Sequence, residues 1–146
     1  MLVAGGRKTP ERTRGGRHML TIHNPDTIAP PASIYSQGIE VPPNARWLHI
    51  AGQVGVKPDG TMAKGFVAQC QQTWENLIEV LHSAGMDIPD LVKVNGYITS
   101  KSNVAAFREV RVPYLGDTRT AFTLVVVADL ASPDWLVEID AVAAKV

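Results

Sequence analysis

The sequence is poor in cysteine and in long apolar runs, and each shortage argues against a class of protein. Its single cysteine, Cys70, can form no internal disulfide, which argues against a small disulfide-stabilised secreted domain and favours the reducing cytoplasm. The longest apolar run, residues 124–128, falls far short of the ~18 residues that cross a membrane. We therefore expect a cytoplasmic protein with no membrane partner.

Signatures of metal and nucleotide binding are missing as well. The four histidines, at positions 18, 23, 49 and 82, show no spacing typical of metal ligands. The glycine-rich stretch at residues 52–60 lacks the Gly-Lys-Ser/Thr of a phosphate-binding loop. We expect no metal and no cofactor.

Charge is balanced overall but divided unevenly along the chain. The formal net charge is zero, yet the first 18 residues carry +4 and the remaining 128 residues carry −4. Because nucleic-acid binding rests on clustered Lys and Arg, the acidic body argues against a nucleic-acid partner. Residues 1–18 have no apolar periodicity and no secretory hydrophobic segment. We interpret them as a disordered leader, either an upstream start-site extension or a vector-derived tail, with a nucleic-acid-binding arm as the alternative.

Residues 19–146 are expected to form one domain of alternating strands and helices. Residues 34–39 and 46–54 are predicted strands, joined by a turn at 42–44, and residues 57–60 carry a strong turn signal. Apolar residues spaced three and four apart from Phe66 to Leu81 predict the first helix. Gly85 is expected to end that helix in the left-handed conformation.

The second half of the chain continues the alternation. Residues 91–99 form a predicted strand, and Ser102 or Asn103 is expected to cap a second helix that Pro113 bends or ends. Residues 120–127 and 135–143 are the last two predicted strands. The order ββαβαββ indicates an α+β domain with two helices packed against a mixed sheet.

The last predicted strand carries two carboxylates on a face that is otherwise apolar. Glu138 and Asp140 share this face with Leu136 and Val142. A charge that is buried without a partner costs several kcal/mol. Either this face looks to solvent, or it lines a subunit interface that contains a polar pocket.

Five segments resemble, in order and spacing, the motifs of the RidA/YjgF family. They are residues 35–39 (YSQGI), 51–54 (AGQV), 83–94 (SAGM followed by DLVKV), 107–114 (FREV with a following tyrosine) and 137–143 (VEIDAVA). The resemblance covers roughly residues 20–145. It implies a chorismate-mutase-like fold with two helices on one face of the sheet. It also implies a homotrimer whose sheets form a central barrel, with small-molecule clefts between subunits and the second face of the last strand turned toward a neighbour.

The best-known activity of this family is the hydrolysis of reactive enamines and imines to 2-keto acids and ammonia, without a metal or cofactor. Glu138 lies where the family has its water-handling glutamate, so the resemblance implies a catalytic role; an interface ion pair is the alternative. Tyr35 matches the pocket tyrosine, with simple packing as the alternative. Ala51 stands at the position of the pocket serine and removes a hydroxyl, and Gly52 follows it in the same substrate-binding motif.

The resemblance fails at the substrate-binding arginine of the family's deaminases, because Phe122 takes that position. A phenylalanine cannot bind a carboxylate as a guanidinium does. We therefore expect 2-imino acids to be hydrolysed far more slowly than by an arginine-bearing relative. Arg111, in place of a family asparagine, or Arg119, from a bulge or loop, could compensate. Alternatively, Arg111 is a solvated helix residue paired with Glu109 or Asp117.

Three functions remain open at this point. The favoured one is a hydrolytic deaminase of an enamine, an imine or a related small molecule at an intersubunit pocket, outside the standard 2-imino acid class. The second is a metabolite-binding or regulatory protein without catalysis. The third is a single-strand endoribonuclease, an activity attributed to some relatives, against which the acidic body and the absence of a histidine pair count. Cys70 lies on the apolar stripe of the first helix and is interpreted as a core residue rather than a nucleophile.

Overall fold

The computed structural model describes residues 11–12 and 20–146, which form two sheets and two helices. A small antiparallel sheet contains β1 (Glu11–Arg12), β2 (Thr21–His23) and β3 (Gly38–Glu40). The main sheet contains β4 (Arg46–Val54), β5 (Leu91–Ile98), β6 (Ala121–Val126) and β7 (Val137–Lys145), in the order β4-β7-β5-β6. β5 and β6 are parallel and the other neighbours are antiparallel, so the main sheet is mixed, as predicted.

Two helices, α1 (Phe66–Ser83) and α2 (Val104–Leu115), pack on one face of the main sheet. The prediction for Gly85 is confirmed. It has a φ of 66°, its N–H donates to the His82 carbonyl at 2.9 Å, and the Met86 N–H donates to the Leu81 carbonyl at 2.9 Å. These two bonds satisfy carbonyls that the end of α1 would otherwise leave without a donor.

The start and end of α2 differ in detail from the expectation. Asn103 occupies the N-cap position, but its side chain makes no capping hydrogen bond. Ser100 instead accepts the Ser102 N–H at 3.3 Å, at the start of a 3₁₀ turn that leads into the helix. Pro113 lies within the last turn of α2, and the helix continues to Leu115. Pro113 has no N–H to donate to the Glu109 carbonyl, so this last turn has one helical hydrogen bond fewer.

The strand predicted at residues 34–39 is wrong over residues 34–37. Only Gly38–Glu40 is a strand, and it pairs with β2, which is too short for periodicity to predict. The preceding segment runs instead along the start of β6, where the Ser36 N–H donates to the Thr120 carbonyl at 2.9 Å. The last strand begins and ends two residues later than predicted. Of the predicted leader, the structure describes β1 alone, so the interpretation of residues 1–18 lies largely outside the described residues.

The core lies between the helices and the sheet. Its fully buried side chains include Trp74, Leu77, Phe107, Val94 and Ile139. Cys70 is also fully buried, and burial raises the pKa of its thiol to about 12. A thiol with that pKa is not an effective nucleophile near neutral pH, so the interpretation of Cys70 as a core residue is confirmed.

The face of the main sheet opposite the helices is here called the open face. One end of it is covered by the small sheet, where Leu20 packs on Val92 and Ala144. The rest carries the alternate side chains of β7, β5 and β6, which are only partly buried or exposed. Within residues 11–12 and 20–146, no helix is long and apolar enough to cross a membrane.

Candidate functional site

The carboxylate of Glu138 lies on the open face against the backbone of β4. A Cβ placed on Gly52 would come within 1.8 Å of the Glu138 Oε1, so any other residue at position 52 would displace the carboxylate. Among the residues that the structure describes, none forms a hydrogen bond or ion pair with Glu138. Both of its oxygens are therefore free to accept hydrogen bonds from a water or a ligand.

A β-bulge lies beside this carboxylate. The register of β4 against β7 shifts between Ile50 and Gln53, so that Ala51 and Gly52 together oppose Asp140. Both residues of the bulge are exposed. A bulge locally bends a strand and leaves one residue unpaired, and such bulges are frequent next to active sites.

The second carboxylate of the open face has partners. The Asn95 Nδ2 donates to the Asp140 Oδ1 at 2.8 Å. The pKa of Tyr97 is raised above its ordinary value, first by its hydrogen bond to Asp140, then by desolvation and by the negative charges of Asp140 and Glu138. Asp140 is thus a hydrogen-bonded structural group, and Glu138 is the carboxylate left for a ligand.

Sequence reasoning did not select Asn95 and Tyr97 as site residues. The alternation of β5 places both on one face, but it does not show which residues of another strand lie opposite them. The structure pairs Asn95 with Asp140 and Tyr97 with Glu138 across β5 and β7. Only this register brings the four polar side chains together.

A second cluster, here called the arginine cluster, contains Ser33, Arg111 and Phe122. The Arg111 Nη2 donates to the Ser33 Oγ at 2.7 Å, and the guanidinium carbon lies 4.7 Å from the centre of the Phe122 ring. A cation over an aromatic face at this distance is attracted by the ring. Ser33 is only half-buried, so the cluster borders the protein surface.

The interpretation of Arg111 as a solvated helix residue is wrong. Its side chain is only 4% exposed. Glu109 and Asp117 are both exposed, and within the described part of the chain neither forms an ion pair with Arg111. The third turn of α2 directs Arg111 inward because Phe107, one turn earlier, packs in the core.

Tyr35 lies in the loop that runs along the start of β6. The Ser36 hydroxyl donates to the Arg119 carbonyl and the Ser36 N–H donates to the Thr120 carbonyl, which hold this loop in place. The Tyr35 hydroxyl accepts the Ala32 N–H at 3.4 Å. Contact between Tyr35 and a ligand stays a prediction.

Phe122 and Arg119 have structural contacts of their own. The Phe122 ring packs 5.9 Å from Phe107 in an edge-to-face arrangement and 6.5 Å from Trp74, measured between ring centres. Arg119 occupies a loop position, and its Nη1 donates to the carbonyls of Gly116 and Thr118 at 3.0 and 3.2 Å. These bonds hold the Arg119 guanidinium at the C-terminal end of α2.

Glu138 and the arginine cluster lie on opposite faces of the main sheet. Phe122 is opposite Val94 and packs toward the helices, whereas Glu138 projects from the open face between buried neighbours Val137 and Ile139. Arg111 therefore does not lie beside Glu138 within one chain. If both groups serve one site, a second copy must complete it.

The family described as endoribonuclease L-PSP matches residues 25–145. A RutC family protein of Pyrococcus horikoshii is 34% identical over 129 residues, which cover 87% of this chain and 96% of the relative. The chain belongs to the RidA/YjgF family.

Two further relatives describe this RidA/YjgF member more closely. A mouse protein named 2-iminobutanoate/2-iminopropanoate deaminase is 31% identical over 123 residues, which cover 82% of this chain and 88% of that protein. A crystal structure of a Rid family protein of unknown function from Yersinia pestis superposes with a TM-score of 0.76 at 35% identity, covering 85% of this chain and 97% of the other. The two helices on a mixed sheet are thus the fold of the family.

The matched residues 25–145 include both Glu138 and the arginine cluster. The chemistry of each follows from its own side chains. Within the described residues, no group of three His, Cys, Asp or Glu side chains could hold a metal ion. The groups that the structure offers to a ligand are a carboxylate, Glu138, and a guanidinium, Arg111. Their chemistry is that of proton transfer and anion binding.

Proposed function

We propose that the chain is a hydrolytic deaminase that acts on a small imine or enamine in a cleft between two copies. Hydrolysis adds water across the C=N bond. The water oxygen bonds to the carbon, the C–N bond then breaks, and the nitrogen leaves as ammonia after it has taken up protons. The site must hold the substrate, place the water and move these protons.

The observation that carries this proposal is the Glu138 carboxylate beside Gly52. It has no hydrogen-bond partner among the described residues, whereas its neighbour Asp140 is bound by Asn95. In the proposed reaction, Glu138 accepts a proton from the attacking water and returns it to the departing nitrogen. The half-buried open face is well suited to this, because a water held there is close to a fixed base.

In this proposal, a second copy of the chain brings its arginine cluster to the Glu138 of the first copy. Glu138 and the arginine cluster lie on opposite faces of the sheet, and the sheet ends in two edge strands, β4 and β6. Large apolar side chains on these edge strands are exposed, among them Trp47 (53%), Val125 (38%) and Val126 (47%). Exposed apolar groups on sheet edges mark an association surface. We propose a homotrimer in which the arginine cluster of one copy faces Glu138 of the next.

The proposed partners of the chain are a small-molecule ligand and further copies of itself. The acidic body favours neither nucleic acid nor a membrane surface. The one cysteine is buried and has no partner cysteine, which supports a cytoplasmic location.

The trimer predicts a defined mass in solution. Light scattering should give roughly 47 kDa, three times the 15.8 kDa chain, because closure of the clefts buries the exposed edge residues. Trp47→Glu should shift the mass toward that of the single chain, whereas Val67→Glu, at an exposed site on α1, should not. A wild-type mass of 15.8 kDa at micromolar concentration would contradict the shared cleft.

Imine trapping tests the activity itself. An amino-acid oxidase generates the imine of alanine in the presence of semicarbazide, which captures imine that has not been hydrolysed. A deaminase lowers the yield of semicarbazone in proportion to its concentration, and the boiled protein serves as the control. If no imine, with or without a carboxylate, decays faster with the protein than without it, the chain is a binding protein and the deaminase proposal fails.

A further inference from the structure

Arg111 is a buried cation without an anionic partner. Its side chain is 4% exposed, its Nε is buried and has no hydrogen-bond partner, and the Ser33 hydroxyl is its one acceptor among the described residues. An arginine carries five N–H donors and stays charged at any physiological pH. A buried charge of this kind is costly unless an anion compensates it.

The surroundings of Arg111 do not supply that anion. The pKa of Arg111 is lowered from its ordinary value, first by desolvation and then by the positive charge of Arg108, one turn earlier on α2. No carboxylate of the described residues acts on it in the opposite direction. The site is therefore positively charged and uncompensated.

The arginine cluster also has an apolar side. The guanidinium lies over the Phe122 ring, and that ring is held by Phe107 and Trp74 behind it. Phe122 cannot compete for the N–H donors of Arg111, since an aromatic face accepts the charge without a strong hydrogen bond. An arginine fork beside an apolar ring fits a carboxylate with a short carbon chain better than an inorganic ion.

We propose that Arg111 binds the carboxylate of an anionic substrate, with Ser33 orienting its guanidinium and Phe122 supporting it. The inference rests on the proposed function, since it names the substrate class of that cleft. Arg111 on α2 supplies the positive charge that binds the carboxylate. The position of the family's arginine, on β6, is occupied here by Phe122. The expectation that 2-imino acids are poor substrates rested on Phe122 and named Arg111 as a residue that could compensate. With the Arg111 guanidinium over the Phe122 ring, anionic imines become the preferred class.

Binding of a stable ligand tests this inference without catalysis. Pyruvate, the keto acid of the alanine imine, is titrated into the full-length protein and followed by calorimetry or NMR. Arg111→Gln should weaken pyruvate binding about 10- to 100-fold, because the two-pronged charged pair is lost. Arg108→Gln removes an exposed charge of the same helix and should change binding by no more than about twofold. Equal binding by wild type and Arg111→Gln would overturn the inference.

An arginine placed at position 122 of β6 should restore the pyruvate binding that Arg111→Gln loses. A purely structural role of Arg111 would not predict this rescue. The two positions are in contact, so Arg111→Gln combined with Phe122→Arg should recover pyruvate binding to within about tenfold of wild type. Circular dichroism and the assembly mass of each variant confirm that it folds. A folded double variant that binds no better than Arg111→Gln would count against carboxylate recognition.

Two substrates separate this inference from the deaminase proposal. The alanine imine carries a carboxylate, and ethanimine, made by an amine oxidase, does not. Arg111→Gln should raise KM for the alanine imine about 10- to 100-fold and leave ethanimine unchanged. An equal loss on both substrates would overturn the role of Arg111 while the deaminase stands. Arg111-dependent pyruvate binding with no turnover of either imine would support the anion site and reject the deaminase.

Discussion

Replacing Glu138 with Gln is expected to lower imine turnover by about 10²–10⁴-fold, the usual worth of a positioned acid–base group. The amide keeps the size and planar shape of the side chain beside Gly52, so the packing that this glycine allows is preserved. What is lost is the basic oxygen that takes the proton of the attacking water. The measurement is the semicarbazide assay with the best imine that the wild type accepts.

The matched control is Glu79→Gln, which makes the same chemical change at an exposed position of α1. It should leave kcat and KM unchanged, because Glu79 lies on a helix away from the open face. Wild-type turnover in Glu138→Gln would remove this residue from the mechanism and favour the metabolite-binding alternative.

Mixing two impaired variants shows whether the site is shared between copies. Arg111→Gln and Glu138→Gln are unfolded together in equal amounts and refolded. If each cleft takes Arg111 from one copy and Glu138 from another, random assembly restores both residues in about a quarter of the clefts. Activity near that fraction on the alanine imine supports the shared cleft, whereas activity no higher than that of the separate variants would show that Arg111 and Glu138 do not serve one cleft.

Replacing Phe107 with Ala is expected to lower the free energy of unfolding by about 3–5 kcal/mol. Phe107 is fully buried, and its ring fills the space above Gly96, where an added Cβ would lie 2.7 Å from the Phe107 Cζ. The change leaves a cavity that neighbouring backbone cannot close. It also removes the edge-to-face partner of Phe122, so the support under Arg111 weakens. Urea denaturation at one fixed protein concentration measures the loss, since the stability of an assembly depends on concentration.

Val112→Ala on the same helix is the control. Val112 is 47% exposed, so its truncation should change the free energy of unfolding by no more than about 0.5 kcal/mol. A loss below about 1 kcal/mol in Phe107→Ala would mean that the core between α2 and β5 collapses into the cavity.

The sequence by itself determined the order of the two helices and the four strands of the main sheet, and the identity of the family. β4 has the predicted bounds, α1 begins at the predicted Phe66, and the buried face of β7 carries Val137 and Ile139 as its alternation indicates. These features follow from side-chain periodicity, which repeats every 2 residues in a strand and every 3.6 in a helix and can be read within a short window. The same local motifs selected Glu138 as a candidate site residue.

Only the tertiary structure decided what surrounds the candidate residues. The bulge at Ala51 and Gly52 appears when β4 is paired with β7, and the partner of Asp140 lies 45 positions away in β5. Arg111 meets Ser33 across 78 positions, so no window of the sequence shows that this arginine is buried rather than solvated. Periodicity determines which face a side chain takes, but its burial and its hydrogen-bond partners depend on which distant segment packs against that face.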